Sequence, residues 1–240
     1  MRRFRLTSFM LAAPLLFSAV TVARAQGAEP HWEVGGQVSA FDVGNGTGSA
    51  QDFICPVLFG PCVVRTTNAD HRATEFGFGA RVGYRLDRHF TVEAEGNFFP
   101  REAALTDNDG FTGGRKTQVL FGAKVGRHFE RVGLFVKARP GYVHFSEGDL
   151  RQAGACVAVF PPPLGCFERR GRTDFAFDLG GVVELYPSAR TLLRFDAGDT
   201  LLWAREHNVP VRTASADLVV TTPSRTTHNF QGSVGFGFRF

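Results

Sequence analysis

Apolar and polar side chains alternate with a period of two through eight segments of this chain: His31–Val43, Ala73–Leu86, Phe90–Pro100, Lys116–Phe129, Val132–Ser146, Thr173–Tyr186, Thr191–Trp203 and His228–Phe240. Successive side chains of an extended strand point to opposite faces, so this period predicts strands with one apolar and one polar side. No helical period of 3.6 residues runs through them. The last segment alternates most strictly. Phe230, Gly232, Val234, Phe236, Phe238 and Phe240 share one face; Gln231, Ser233, Gly235, Gly237 and Arg239 share the other. The pattern continues to the final residue, where a soluble domain usually frays into water. A closed barrel in lipid has the opposite need: its last strand must pair and its apolar face must meet hydrocarbon.

The same parity sorts the other segments. In the second, Phe76, Phe78, Ala80, Val82, Tyr84 and Leu86 oppose Glu75, Gly77, Gly79, Arg81, Gly83 and Arg85. Val92, Ala94, Gly96 and Phe98 of the third oppose Glu93, Glu95 and Asn97. Val119, Phe121, Ala123 and Val125 of the fourth oppose Gln118, Gly122 and Lys124. Leu134, Val136, Ala138 and Pro140 of the fifth oppose Lys137 and Arg139. Phe175, Phe177, Leu179, Val183 and Leu185 of the sixth oppose Asp178 and Glu184, and Leu193, Phe195 and Ala197 of the seventh oppose Arg194 and Asp196. Each segment is near the roughly 9–11 residues that a tilted strand needs to cross a bilayer. The connections alternate between short turns (87–89, 130–131, 187–190) and longer loops (44–72, 101–115, 147–172, 204–227), as periplasmic turns and outer loops do. The pattern predicts an all-β fold, an eight-stranded antiparallel up-and-down transmembrane β-barrel. The even strand count puts both ends of the barrel chain on the periplasmic side.

The first residues extend this reading. A basic start, Met1-Arg-Arg-Phe-Arg5, precedes an apolar run from Phe9 to Val22 and the small-x-small sequence Ala23-Arg24-Ala25. These are the parts of a secretory signal peptide. The run is too short for a spanning helix and contains Pro14. Residues 1–25 are expected to be removed, leaving 26–240 as one barrel domain. Removal of Arg2, Arg3, Arg5 and Arg24 from the 27 basic residues leaves 23, against 23 acids. The basic balance of the whole chain therefore gives no reason to expect nucleic acid as a partner.

By these residues the chain resembles the small eight-stranded outer membrane β-barrel family of Gram-negative bacteria, the outer membrane protein beta-barrel domain group, akin to the membrane domain of OmpA-type proteins. Phe240 at the end of its alternating strand, the Asp87-Arg88 turn after Val82-Gly-Tyr-Arg-Leu86, and Glu93-Ala-Glu95-Gly-Asn97 carry the resemblance. It implies a cell outer membrane location, contact with outer membrane lipids, and an assembly signal in Phe236, Phe238 and Phe240 read by the barrel-assembly machinery. It departs from OmpA-type proteins in having no peptidoglycan-binding domain after Phe240. Members serve structural, adhesive and membrane-integrity roles, so the fold does not fix the activity.

The predicted lumen carries both signs of charge: Arg81, Glu93, Glu95, Lys124, Lys137, Arg139, Asp178, Glu184, Arg194 and Asp196. An eight-stranded barrel is only wide enough for side chains to fill it. Opposite charges packed there are expected to pair, with Glu95 to Lys124 and Arg139 to Asp178 as candidates on neighbouring strands. Either a structural plug or a narrow ion path fits this list. The run Gly77-Phe-Gly-Ala-Arg-Val-Gly83 has glycine spacing superficially like a dinucleotide fingerprint, but no helix pattern follows it and its glycines fall on the lumen face.

Four cysteines lie in two close pairs inside predicted outer loops, Cys55/Cys62 and Cys156/Cys166. In an exported chain an even count reads as disulfides, and the local pairing is favoured by proximity; a cross-loop pairing or a metal site are the alternatives. The spacing is not CxxC and no paired histidine is near, so no metal or cofactor is expected. His144-Phe-Ser146 resembles the His-x-Ser of the outer membrane lipid A deacylases, with both residues predicted to face outward. A serine nucleophile also needs a carboxylate to orient its histidine, and Glu147 and Asp174 fall on the other face; an interfacial rim histidine is the alternative. The expectation is a non-enzymatic, monomeric barrel with loops available to an external ligand. A channel and a lipid hydrolase are the competing classes.

Overall fold

The computed structural model describes residues 30–45, 49–54, 63–68, 71–101, 113–152, 167–212, 217–222 and 224–240. Eight long strands form the barrel wall: β1 (Trp32–Asn45), β4 (His71–Arg85), β5 (Phe90–Phe99), β6 (Lys116–His128), β7 (Val132–Gln152), β8 (Phe167–Leu185), β9 (Thr191–Ala204) and β12 (Arg225–Arg239). They close in the order β1-β12-β9-β8-β7-β6-β5-β4, each antiparallel to its neighbours. The eight alternating segments are these eight strands, with ends shifted by a few residues. The terminal segment does the closing: β12 pairs with β1 from Glu33↔Arg239 to Phe41↔Gln231, and Trp32 and Phe240 exchange both backbone hydrogen bonds, 2.9 and 3.0 Å. Closure leaves no unpaired edge between these two strands, as a wall in hydrocarbon requires.

The expected long loops differ from observation in part. Two of them form small hairpins, β2 (Ser49–Ile54) with β3 (Val63–Asn68) and β10 (His207–Arg212) with β11 (Asp217–Thr222). A third is shortened because β7 and β8 stay paired out to Gln152↔Phe167, past a register shift between Phe145 and Asp149. Alternation in these stretches is too short to mark a strand in the sequence.

Following paired residues once around the wall, from Glu75 through Phe41, Gln231, Gly198, Gly180, Lys137, Lys124 and Thr91, returns to β4 at Arg85, ten residues along. That stagger is what a tilted, closed eight-stranded wall needs. Alternating parity holds throughout. Phe76, Phe78, Val136, Val38 and Phe238 are exposed on the outer wall, while Glu75, Arg81, Lys137, Gln37 and Arg239 are buried inside. Aromatic residues gather at two levels of the wall. Near the periplasmic end His31 stacks on Tyr84, which Trp32 meets edge-on; near the outer end Phe175 contacts Tyr142 and Trp203, with ring centroids 5.7 and 5.4 Å apart. Such girdles mark the two interfaces of a membrane-spanning barrel. In the first periplasmic turn, the Asp87 carboxylate accepts the amides of His89 and Phe90 at 2.6 and 2.7 Å, and these bonds hold its pKa below the ordinary 3.8.

Glycines on the inner face let strands with long neighbours lie close. A Cβ on Gly122 would sit 2.2 Å from the Ala138 carbonyl and 2.7 Å from the Arg139 Cα, whereas one on the lipid-facing Gly96 would approach nothing nearer than 4.0 Å. Gly122→Val is therefore expected to separate β6 from β7 and to cost at least the ~1–3 kcal/mol of an overpacked core. Gly96→Ala should be neutral. Urea unfolding of refolded protein in lipid vesicles, followed by heat-modifiable migration, checks both; equal midpoints would remove the argument.

Candidate functional site in the barrel lumen

The inward faces of the strands bury eight acids and eight bases among the described residues: Glu33, Glu75, Glu93, Glu95, Asp174, Asp178, Glu184 and Asp196 against Arg81, Arg85, Lys116, Lys124, Lys137, Arg139, Arg194 and Arg239. The central tier is organised by two arginines. Arg139 donates through Nε and Nη2 to Asp178 Oδ2 at 2.8 and 2.6 Å, and through Nη1 to Glu95 at 2.5 Å and Glu93 at 3.2 Å. Arg194 forks onto Glu93 (2.7 and 3.0 Å) and onto Asp196 (2.7 and 2.9 Å). Lys137 bridges Asp178 and Asp196 at 3.1 and 3.2 Å. Lys124 binds Glu33 at 2.8 Å and also Glu184, which accepts from the Tyr186 hydroxyl at 2.8 Å. Arg81 is held more loosely, 3.4 Å from Gln37 and 3.8 Å from Asp196.

Several of these contacts cross the lumen. Arg194 on β9 and Glu93 on β5 stand on opposite walls, as do Gln118 on β6 and Gln231 on β12, whose amides bond each other at 2.9 and 3.1 Å. Above the charges, Asn97 joins Gln37, Glu95 and Gln118 in an amide tier. Towards the outer mouth, Phe41, Val43, Phe99, Leu120, Val143, Phe145, Ala176 and Leu202 then form one buried apolar cluster. Lys116 lies beside this cap, fully buried, with both Glu75 oxygens at 2.7 Å, the Gly114 carbonyl at 3.0 Å and the Phe145 ring beneath its ammonium. Gly113 and Gly114, with φ of 90° and 74°, fold the chain over this corner and leave room for Phe145 and Ser146, which a Cβ at either position would meet.

All ten residues of the expected lumen list face inward and are buried. Arg139 and Asp178, opposite each other in the β7–β8 register, are bonded. Glu95 and Lys124 are not: the register sets Glu95 against Leu120 and Lys124 against Thr91, so Lys124 lies nearer the periplasm and meets Glu33 and Glu184, while Glu95 goes to Arg139. The cap and the Glu75–Lys116 pair escaped the sequence reading, although parity carried the signal, since Phe41 and Val43 continue the inward phase of Glu33 and Gln37. Gly77, Gly79 and Gly83 line the lumen, where a Cβ at Gly79 would collide with Asn97. His144 faces outward as expected, but its Nδ1 bonds Thr173 Oγ1 at 2.9 Å. Ser146 sits at the start of the register shift, half-buried, with its hydroxyl beside Gly114. Phe236, Phe238 and Phe240 lie on the outer wall. Cys55, Cys62, Cys156 and Cys166 fall outside the described residues, as do residues 1–29.

A family model described as outer membrane protein beta-barrel domain matches residues 10–240. No curated protein matches the chain in sequence. Among solved structures it is similar to Ail, the attachment invasion locus protein of Yersinia pestis, at 16% identity over 89% of this chain and 100% of that one, with a TM-score of 0.42. Neisserial surface protein A is 12% identical over 87% and 97% of the two chains at a TM-score of 0.46. The N-terminal β-barrel domain of Pseudomonas aeruginosa OprF is 10% identical over 87% and 97% at 0.37.

Arg139 pairs with three carboxylates, Glu93, Glu95 and Asp178, and among the described residues it is the ion-pair partner of Glu95, so removing it leaves that buried carboxylate without its counter-charge. Arg139→Met is expected to destabilise the folded barrel by about 3–5 kcal/mol, as breaking a buried pair does. Adding Glu95→Leu should recover part of that loss. Urea midpoints in lipid vesicles measure both, and a loss under about 1 kcal/mol in the single variant would mean that the network does not hold the barrel.

Proposed function

This chain belongs to the outer membrane protein beta-barrel domain family and resides in the cell outer membrane, and from that premise we propose that it is a closed, non-enzymatic, monomeric barrel. Its lumen is a structural plug and its loops serve contact outside the cell. The observation that carries this reading is the interior itself. A conducting path needs a continuous water-lined route, whereas here the central charges spend their hydrogen bonds on one another and the apolar cluster around Phe41, Phe99 and Phe145 blocks the route towards the outer mouth. The hydrolase alternative is disfavoured by His144, whose Nδ1 meets the Thr173 hydroxyl and not a carboxylate.

In the same reading, residues 1–25 direct export and are removed, and Phe236, Phe238 and Phe240 present the last strand to the barrel-assembly machinery. Disulfides Cys55–Cys62 and Cys156–Cys166 close small rings in two outer loops, where an external ligand would dock.

Two measurements test the proposal. Refolded protein in a planar bilayer is expected to give no regular unit conductance; reproducible single-channel steps would replace the plug with a pore. A Phe240→Ser variant is expected to accumulate unassembled in the periplasm while still refolding from urea into detergent. Equal surface levels of variant and parent would remove the assembly role.

A further inference from the structure

Among the described residues, the outer wall carries one polar cluster at a depth where hydrocarbon should be. On β9 the odd-numbered residues Leu193, Phe195, Ala197, Asp199, Leu201 and Trp203 alternate with the buried lumen set, so Asp199 faces lipid. Trp203 of the outer girdle stands four residues further on the same face, which places Asp199 roughly 10 Å below that girdle for a strand tilted by about 40°. An ionisable side chain at such a depth persists only with a partner and marks a functional site. Its partner is on β12: His228 Nδ1 lies 2.6 Å from Asp199 Oδ2, and the other carboxylate oxygen accepts the Asn229 amide at 3.0 Å. Both side chains stay open to the outside, the histidine at 70% and the aspartate at 43%.

The wall just below the pair is hollow. Ala40, Gly232, Ala197 and Gly181 stand in one paired row across β1, β12, β9 and β8. Nothing in the barrel requires these glycines: an added Cβ at Gly232 or Gly181 would find no atom nearer than 3.8 or 4.0 Å. The row leaves a shallow trough flanked by the bulky Phe230, Phe195 and Leu179.

We propose that Asp199 and His228 form a binding site for an outer-leaflet lipid that carries hydroxyl or amide hydrogen-bond donors where its chains join the headgroup, with an acyl chain lying in the trough. The chemistry follows from what the pair leaves unused. With Nδ1–H given to Asp199, the histidine offers Nε2 as an acceptor, and each carboxylate oxygen keeps a second lone pair. The site therefore presents acceptors at the depth of the chain linkage and selects donors there. A lipid with ester linkages alone has none to give.

Sphingomyelin and phosphatidylcholine separate this property, since they share a headgroup and differ at the linkage in an amide N–H and a hydroxyl. The full chain, refolded into vesicles of phosphatidylcholine doped with sphingomyelin, is expected to retain sphingomyelin several-fold over its bulk fraction when lipids carried with the barrel are counted by native mass spectrometry. Asp199→Leu and His228→Leu should each abolish the enrichment, Gly232→Leu should reduce it by filling the trough, and Asp42→Asn at the outer rim should leave it intact. Equal retention of the two lipids by the parent, enrichment that survives Asp199→Leu, or a dimer of the chain that Asp199→Leu dissolves would each overturn the proposal. Folding of each variant is checked by heat-modifiable migration. Should Asp199→Leu fail to fold, Asp199→Asn with His228→Leu asks the same question while keeping the shape of the side chain.

Discussion

A charge inside a barrel too narrow for bulk water must meet its opposite, and much else in this structure follows from that need. Born solvation makes an unpaired ion in such a space cost several kcal/mol even after relaxation. Among the described residues the inner wall answers with equal numbers of buried acids and bases, arranged so that most carboxylates are shared: Glu93 between Arg139 and Arg194, Asp178 between Arg139 and Lys137, Glu184 between Lys124 and Arg194. Because partners come from opposite walls, the network acts as cross-bracing. Strands that hold only their two neighbours by backbone bonds are tied through the centre by Arg194–Glu93 and Gln118–Gln231.

The interior is also stratified, and the order of its layers bears on what the protein can do. Ion pairs occupy the centre, amides lie above them, and an apolar cluster faces the outer mouth. Water arriving from outside meets the apolar layer first. The buried Lys116 beside it is tolerated because Glu75 and the Gly114 carbonyl satisfy its ammonium. A polar lumen is often read as a pore, but here most of the central charged groups hydrogen-bond one another.

The outer wall inverts the usual rule that large apolar side chains are buried. Phe76, Val136, Phe121 and Phe230 are more than half exposed because their solvent is lipid. Against that background the informative exceptions are polar groups and missing side chains. Asp199, His228 and the row from Ala40 to Gly181 are such exceptions, and they lie together on the side of the wall formed by β1, β12, β9 and β8.

The sequence by itself determined the strand number, the parity of each strand and the two faces of the wall, because a period of two is a local property that each strand repeats independently. It also determined that the inner charges balance in sign. The tertiary structure alone decided which of those charges meet. Pairing depends on a stagger of ten residues around the wall and on reach across the lumen, and neither is local. Thus Arg139–Asp178, opposite on adjacent strands, was legible, whereas Lys124 passed over Glu95 for Glu33 and Glu184. The register shift after Phe145 is likewise something that parity does not encode. The contact between Asp199 and His228 was hidden for a related reason: they sit 29 residues apart, and only the β9–β12 register brings them to one spot on the wall.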